Sequence, residues 1–400
     1  MTLPEGAGRC PSCGHVVGGG VVVTSDNAAT PDRGRGRGRH LGLVVLAAAG
    51  LCVAVLALVD QGSDPPNEPS AGRYPTPATL ASVGTVGDTG PPATLPGGTG
   101  LRVVAFRPAT LAVADLDTGE RVVVSGASDG DDATFVGGLE RAGGIVTVVG
   151  EQVVFLPDVE PGGLSIRLDT GYAVLPSDRP HRVWVLAGDP SEGLANTVHE
   201  IDLTGAITGE TTALPEGVVP VGGVTGGLVL DTPDGVFLLD REGNARRVAT
   251  GSVVGTFGSS VVHRSCSDDL RCSLYVTDVE TGERRQVSGG SEVPAFQFAE
   301  QGVSPDGRLL FSFVYAETGR TVTVFDLEGG EVAFEGGPEL VGHAAGAVWS
   351  PDGRWLFWLE SGDPAAGTGT SVGALRTDDW RFFELDLPGG YGLVVLGPDD

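Results

Sequence analysis

The sequence predicts an all-β protein, a β-propeller of about seven four-stranded blades, and three observations carry this prediction. The 400 residues include 65 Gly and 27 Pro, and the apolar segments are short and separated by Gly, Asp, Thr and Pro. A strand-and-turn pattern recurs from residue 101 onward at intervals near forty residues. Stretches with the period of a long amphipathic helix are scarce. Short strands at a regular repeat are typical of a fold built from repeated small sheets.

The repeated unit is an alternating apolar strand, an Asp, a small turn with Gly, and a second strand. Asp accepts hydrogen bonds from amides two residues ahead, and Gly tolerates the positive φ of a tight connection. A period near forty fits four strands per blade. The turn aspartates follow one another at intervals of 43, 44, 38, 38 and 48 residues, and they are Asp115, Asp158, Asp202, Asp240, Asp278 and Asp326.

A second marker, SPDGR, occurs at residues 304–308 and 350–354, each time before an apolar strand, and a shorter relative, TPDG, begins at Thr232. SPDGR followed by an apolar strand and then a V-x-D-x-x-TGE turn resembles the WD40-like repeats of TolB-type β-propellers. The resemblance covers residues 101–400 and implies the propeller fold. It implies no particular activity, because propellers host many unrelated functions.

The number of blades follows from the turns. RTDDW at residues 376–380 reads as a seventh turn, so we predict seven blades, with six and eight as the alternatives. The segment YGLVVL at residues 391–396 follows the last blade, whereas the first blade, starting near Leu101, is one strand short. Pairing these two ends of the domain closes the ring and leaves no long unpaired sheet edge.

A membrane span is predicted before the propeller. Residues 41–59 contain no charge, and nineteen helical residues cover about 28 Å, close to the thickness of a hydrocarbon core. Basic flanks stay in the cytoplasm, which predicts a cytoplasmic tail at residues 1–40 and an extracytoplasmic domain at residues 101–400 of a single-pass membrane protein. The alternative is a cleaved signal peptide, although forty residues precede the span. Residues 60–100 are rich in Pro, Gly and Thr and are predicted to form a flexible linker. The basic flank consists of Arg33, Arg35, Arg37 and Arg39, and the acidic one of Asp60 and Asp64.

The cysteines divide between the predicted compartments. Cys266 and Cys272 bracket five residues between two apolar runs of the exported part, so we predict a disulfide that clips a hairpin there. Closing so small a ring contributes roughly 2 kcal/mol. A redox switch is the alternative role for this pair.

The N-terminal sequence CPSCGH places Cys10, Cys13 and His15 together and resembles one knuckle of a zinc ribbon. The resemblance implies zinc held tetrahedrally by thiolates and imidazole. The second half of such a site does not follow before residue 41, so a closed site needs a distant ligand or one from a second chain. An unstructured tail is the alternative. No cofactor is predicted for the propeller itself.

The charge of the chain limits its partners. The net charge is −27, and residues 1–60 carry five Arg and four acidic residues, so −28 belongs to residues 61–400. Because affinity for nucleic acid depends on cations that neutralise phosphates, a nucleic-acid partner is not expected.

The sequence lacks the HExxH motif, and the propeller leaves no residues for an added α/β hydrolase domain, so we predict a non-enzymatic binding module for a protein, a peptide or a cell-wall glycan. One alternative is a lyase or glycosidase whose carboxylates converge in the central funnel. Another is a transmembrane signalling protein. Four late tryptophans are expected to pack between blades, although one at a ring mouth could stack on a sugar. They are Trp349, Trp355, Trp358 and Trp380.

Overall fold

The structure is a computed structural model, and within the residues that it describes all regular secondary structure is β-strand. No helix in that part of the chain is long and apolar enough to cross a membrane. The predicted span at residues 41–59 and the predicted zinc ligands Cys10, Cys13 and His15 lie outside the described residues. The description covers residues 78–79, 81–84, 94–106, 110–125, 135–160, 163–188, 196–267, 272–287, 302–315, 320–340, 344–360, 371–385, 387 and 392–398.

The described strands form seven antiparallel sheets, which are the seven predicted blades. Two short strands come first, β1 (Ala78–Thr79) and β2 (Ala81–Gly84). Blade 1 follows with β3 (Arg102–Phe106), β4 (Thr110–Asp115) and β5 (Arg121–Ser125). Blade 2 consists of β6 (Phe135–Arg141), β7 (Gly144–Val149), β8 (Gln152–Leu156) and β9 (Leu164–Thr170). Blade 3 consists of β10 (Ala173–Pro176), β11 (Arg182–Ala187), β12 (Asn196–Asp202) and β13 (Thr212–Leu214).

The remaining blades have the same order of strands. Blade 4 consists of β14 (Val219–Val224), β15 (Gly227–Thr232), β16 (Gly235–Asp240) and β17 (Ala245–Ala249). Blade 5 consists of β18 (Ser252–Phe257), β19 (Ser260–Cys266), β20 (Cys272–Asp278) and β21 (Arg284–Gln286). Blade 6 has β22 (Leu309–Tyr315), β23 (Arg320–Asp326) and β24 (Glu331–Leu340), and a bridge from Val303 to Leu310 marks its inner edge. Blade 7 consists of β25 (Ala344–Trp349), β26 (Trp355–Glu360), β27 (Ser371–Arg376) and β28 (Arg381–Leu385), and β29 (Gly392–Leu396) ends the chain of strands.

The predicted ring closure is confirmed, because β29 pairs antiparallel with β3 as the inner strand of blade 1. Its side chains alternate between two apolar cores. Val395 packs in the core shared with blade 7, and Val394 and Leu396 pack in the core shared with blade 2. All three are at most 3% exposed. The end of the chain therefore holds together three blades at once.

Part of the predicted linker joins the sheets. β1 pairs with β9 of blade 2, and β2 pairs with β5 of blade 1, so both short strands extend outer blade edges. Further along, Leu95 is 4% exposed and its amide donates to the Leu116 carbonyl. The structure thus differs from a linker that runs to residue 100. Backbone pairing holds residues 78–79 and 81–84 in place although their sequence lacks a sustained apolar period.

The turn aspartates lie in turns between two strands, as predicted, and in the structure these are the third and fourth strands of their blades. In blade 1 the Oδ1 atom of Asp115 accepts hydrogen bonds from the amides of Asp117 and Thr118, at 3.0 and 2.7 Å. Asp278 in blade 5 binds the equivalent two amides of its turn, at 3.0 and 2.8 Å. RTDDW is confirmed as the seventh turn, between β27 and β28.

The SPDGR segments connect the first and second strand positions of blades 6 and 7. In each, the Ser hydroxyl donates a hydrogen bond to the Asp two residues ahead and accepts one from the first amide of the next strand. Ser350 makes these two bonds with Asp352 and Trp355. Grouping TPDG with these turns is wrong, because Thr232 pairs with Gly235 and the segment joins the second and third strands of blade 4. It needs only a two-residue hairpin, whereas SPDGR spans a wider turn.

Candidate functional site

The turn aspartates and the SPDGR segments lie on one face of the ring, which we call the turn face. Neighbouring strands in a blade are antiparallel, so the first and third connections of a blade leave its sheet at the same end. The two turns of a blade also contact each other directly. The Leu327 amide donates to the Arg308 carbonyl at 2.7 Å, and the Thr377 amide donates to the Arg354 carbonyl at 2.9 Å.

A groove of about 370 Å³ opens on the turn face between blades 6 and 7. Both SPDGR segments and both partner turns contribute to it. The side chains that form its polar lining include Asp306, Arg308, Asp326, Asp352, Arg354, Thr377 and Asp378, and Trp380 supplies an aromatic wall.

Two ion pairs shape the groove. Arg308 binds Asp326 through Nε and Nη2, at 3.3 and 3.2 Å, and Arg354 binds Asp378 in the same two-pronged way. The two arginine side chains are 62% and 61% exposed, so their remaining N–H groups face solvent. The pKa of Asp326 is lowered, mainly by the hydrogen bond from the Gly329 amide. Burial raises this pKa, but the hydrogen bonds from the Glu328 amide and the Arg308 side chain lower it further. The bond to Asp378 raises the pKa of Arg354. The groove therefore presents fixed donors and acceptors side by side.

A second polar cluster on the turn face is buried and links blades 3 and 4. The Glu200 side chain is fully buried, and its carboxylate accepts hydrogen bonds from Arg241 at 3.0 and 3.1 Å and from Arg182 at 2.9 Å. The hydroxyls of Ser177 and Thr208 donate to the same carboxylate, at 2.6 and 2.8 Å. Burial by itself raises the pKa of Glu200, but these four donors together lower it to about 2. Because solvent does not reach the carboxylate, the cluster holds two blades in place rather than presenting a surface.

Sequence reasoning did not find this cluster, because its members come from separate turns of two blades. One signal was present. Ser177 stands in the first turn of blade 3, at the place where blades 6 and 7 have the Ser of SPDGR.

Other sequence-predicted features lie away from the groove. Cys266 and Cys272 face each other across β19 and β20 and are joined by a disulfide in the second connection of blade 5, opposite the turn face. Trp349, Trp355 and Trp358 are buried between blades, at 4%, 4% and 1% exposure, as expected for packing.

The inner strands, where the enzyme hypothesis places converging carboxylates, are mainly Gly, Ala and Val. Among the inner-strand residues that the structure describes, the charged ones are Glu140 and Arg141, at the end of β6. The Arg141 guanidinium donates to the carbonyl oxygens of Arg182 and Ser177, at 3.2 and 3.4 Å, and so joins blade 2 to blade 3.

The described residues form seven antiparallel sheets, and apolar cores pack neighbouring sheets together. The last strand, β29, closes the ring. The class of protein is therefore a seven-bladed β-propeller. Solved propellers are similar in fold. TolB from Acinetobacter baumannii is 13% identical with a TM-score of 0.42, over 74% of this chain and 66% of that chain. Oligogalacturonate lyase in complex with manganese is 15% identical with a TM-score of 0.47, over 72% and 94%.

A functionally unknown protein from Desulfotomaculum acetoxidans is 12% identical with a TM-score of 0.49, over 74% of this chain and 99% of that chain. At such identities the likeness concerns the fold alone. No protein-family model and no curated protein sequence matches this chain.

Proposed function

We propose that this protein is a membrane-tethered, extracytoplasmic propeller that binds a protein, a peptide or a cell-wall glycan through the groove between blades 6 and 7. The observation that carries the proposal is the convergence of both SPDGR segments and their partner turns on one open groove. Binding sites commonly combine concave shape with a few polar groups in fixed positions. The rest of the propeller then acts as a rigid frame for these turns.

The geometry of the ion pairs supports this use of the groove. An ion pair whose arginine side chain is about 60% exposed contributes little to stability. The same two-pronged pair nevertheless occurs in both blades that border the groove. Each guanidinium is held in one orientation by its Asp. The arginine side chains are therefore already ordered, and binding a ligand costs little further side-chain entropy.

The proposed location, outside the cytoplasm and tethered to a membrane, rests on the apolar segment at residues 41–59 and its basic flank. The disulfide in the propeller agrees with this location, because disulfides persist in oxidising compartments. We expect a membrane-impermeant maleimide applied to intact cells to leave Cys10 and Cys13 unlabelled, and to label Cys266 and Cys272 only after mild reduction. Permeabilised cells treated with the same reductant provide the control in which all four react. Labelling of the N-terminal pair in intact cells would contradict the proposed orientation.

Filling the groove tests the binding proposal. Ala333 lines the groove from β24, and we expect Ala333→Trp to reduce co-sedimentation of the detergent-solubilised full chain with membrane-free cell-wall fragments by at least tenfold. The bulky ring occupies the space that a ligand needs. Ala213→Trp on β13, the outer strand of blade 3, is the matched control and should co-sediment like the unchanged protein. Equal retention of the two variants would contradict a site in this groove.

A further inference from the structure

The third turn of blade 7 carries a tryptophan where the equivalent turns of three other blades carry glycine. Four residues after the last residue of the third strand, blades 1, 5 and 6 have Gly119, Gly282 and Gly330, with φ of 74°, 72° and 71°. Blade 7 has Trp380 there, with φ of 56°. A side chain in this left-handed conformation costs about 1 kcal/mol relative to glycine. The backbone of the turn therefore gives no reason for a tryptophan.

The indole of Trp380 is held in place at the groove. It stacks on Phe334 of the neighbouring blade, with ring centroids 5.5 Å apart and planes inclined by 14°. Trp380 is half-buried and lines the groove beside Thr377 and Asp378. Trp380 packs against the apolar core between blades 6 and 7, but unlike the other three late tryptophans it is only half-buried and leaves part of its ring at the groove.

The charges around the indole disfavour an anionic ligand. The groove is lined by two guanidinium groups and four carboxylates, so its lining carries a net charge of −2. Each guanidinium is neutralised by its own Asp, so N–H donors lie beside carboxylate oxygens at both pairs. Two further carboxylates, those of Asp306 and Asp352, each accept a Ser hydroxyl and a backbone amide on Oδ1. Their Oδ2 atoms accept no hydrogen bond from the described residues.

Such a lining suits vicinal hydroxyl groups. A hydroxyl both donates and accepts, so it can accept from an arginine N–H and donate to a neighbouring carboxylate oxygen. The apolar C–H face of a pyranose ring can lie on an indole, as apolar groups bury surface on aromatic rings. We propose that the groove binds a neutral oligosaccharide segment, with Trp380 as the platform for one sugar ring and the Arg–Asp pairs as partners of its hydroxyls. This inference rests on the proposed function, since it names the ligand of the same groove.

The test is equilibrium binding by isothermal titration calorimetry, with the full chain in a detergent that has no sugar headgroup. The probes are neutral hexasaccharides of glucose and of N-acetylglucosamine, a hexa-arginine peptide and hexagalacturonate. We expect at least one neutral hexasaccharide to bind, and Trp380→Gly to weaken that binding at least tenfold. Trp380→Phe keeps a stacking ring and should stay within about threefold of the unchanged protein. Because glycine is the residue of the sister turns, Trp380→Gly should fold, which its melting temperature checks.

The outcomes separate this inference from the proposed function. Neutral hexasaccharide binding that Trp380→Gly leaves unchanged would overturn the role of Trp380. Binding of only the hexa-arginine peptide or only hexagalacturonate, abolished by Ala333→Trp, would overturn the neutral-glycan inference while the groove keeps its proposed role. Binding of any probe that neither Trp380→Gly nor Ala333→Trp affects would overturn both.

Discussion

Replacing Arg241 with methionine should lower the free energy of unfolding by about 3 kcal/mol, a large effect for a substitution on a turn. Arg241 contributes two of the hydrogen bonds to the fully buried carboxylate of Glu200, and it also pairs with Asp178 in the first turn of blade 3. Methionine fills a similar volume but leaves the carboxylate short of a cation in a place that water does not reach. Removing one partner of a buried ion pair costs more than the pair itself contributes, because the remaining charge stays desolvated.

The measurement is thermal unfolding followed by circular dichroism, where about 3 kcal/mol corresponds to a fall in Tm of roughly 6–10 °C for a domain of this size. Arg308→Met is the matched control, since Arg308 makes the same kind of contact with Asp326 but is 62% exposed. We expect this control to lose less than about 1 kcal/mol. Equal losses for the two variants would mean that Glu200 is not buried among its partners as described.

The same cluster has a pH dependence with a definite sign. The pKa of Glu200 is depressed in the folded state, from an ordinary value of 4.5 to about 2, so its stabilising contribution is present above pH 4.5 and is lost as pH falls toward 2. In Arg241→Met that depression is smaller. The difference in stability between the unchanged protein and the variant should therefore shrink over this window.

A chain that ends at residue 390 should fail to fold cooperatively. It lacks β29, which supplies the inner strand of blade 1, and with it four nearly buried side chains, those of Leu393, Val394, Val395 and Leu396. At about 1.5–3 kcal/mol for each side chain, the loss is on the order of 6–12 kcal/mol, comparable to the whole stability of a typical domain. The truncation also leaves the edge of β3 unpaired, which invites aggregation.

A chain that lacks only residues 399–400 is the control and should unfold at the temperature of the full chain. Leu396→Ala is a milder variant, for which we expect a loss of about 2–5 kcal/mol. Limited proteolysis and thermal unfolding measure both effects. A chain ending at residue 390 that still unfolds at the temperature of the control would show that the ring does not depend on its last strand.

The sequence could predict those parts of the fold that depend on residues close together in the chain. Asp115 and Asp278 form the predicted turns because an Asp carboxylate binds amides two and three residues ahead, which needs no distant contact. The closure by β29 could be predicted because a surplus strand at one end matched a missing strand at the other. The grouping of TPDG with the SPDGR turns is wrong, because four residues are too few to distinguish a two-residue hairpin from the wider SPDGR turn.

Features assembled from several blades could not be read in advance. Glu200 has its partners 23, 18, 8 and 41 residues away, so no spacing in the sequence marks the cluster. The strands at Ala78–Thr79 and Ala81–Gly84 depend on backbone pairing with blades far along the chain. For Trp380 a signal did exist. Aligning RTDDW with the DLDTG of blade 1 puts the tryptophan on the glycine, and only the positive φ shows what that replacement means.

Photo-crosslinking in intact cells measures ligand contact at the groove between blades 6 and 7 most directly. A benzophenone-bearing amino acid is placed at Thr377, in the groove, or at Thr118, exposed on the same face in blade 1. We expect crosslinked adducts of the full chain from the Thr377 position and few from the Thr118 position. Adducts that are equally abundant from both positions, or that come only from Thr118, would contradict a binding site in this groove.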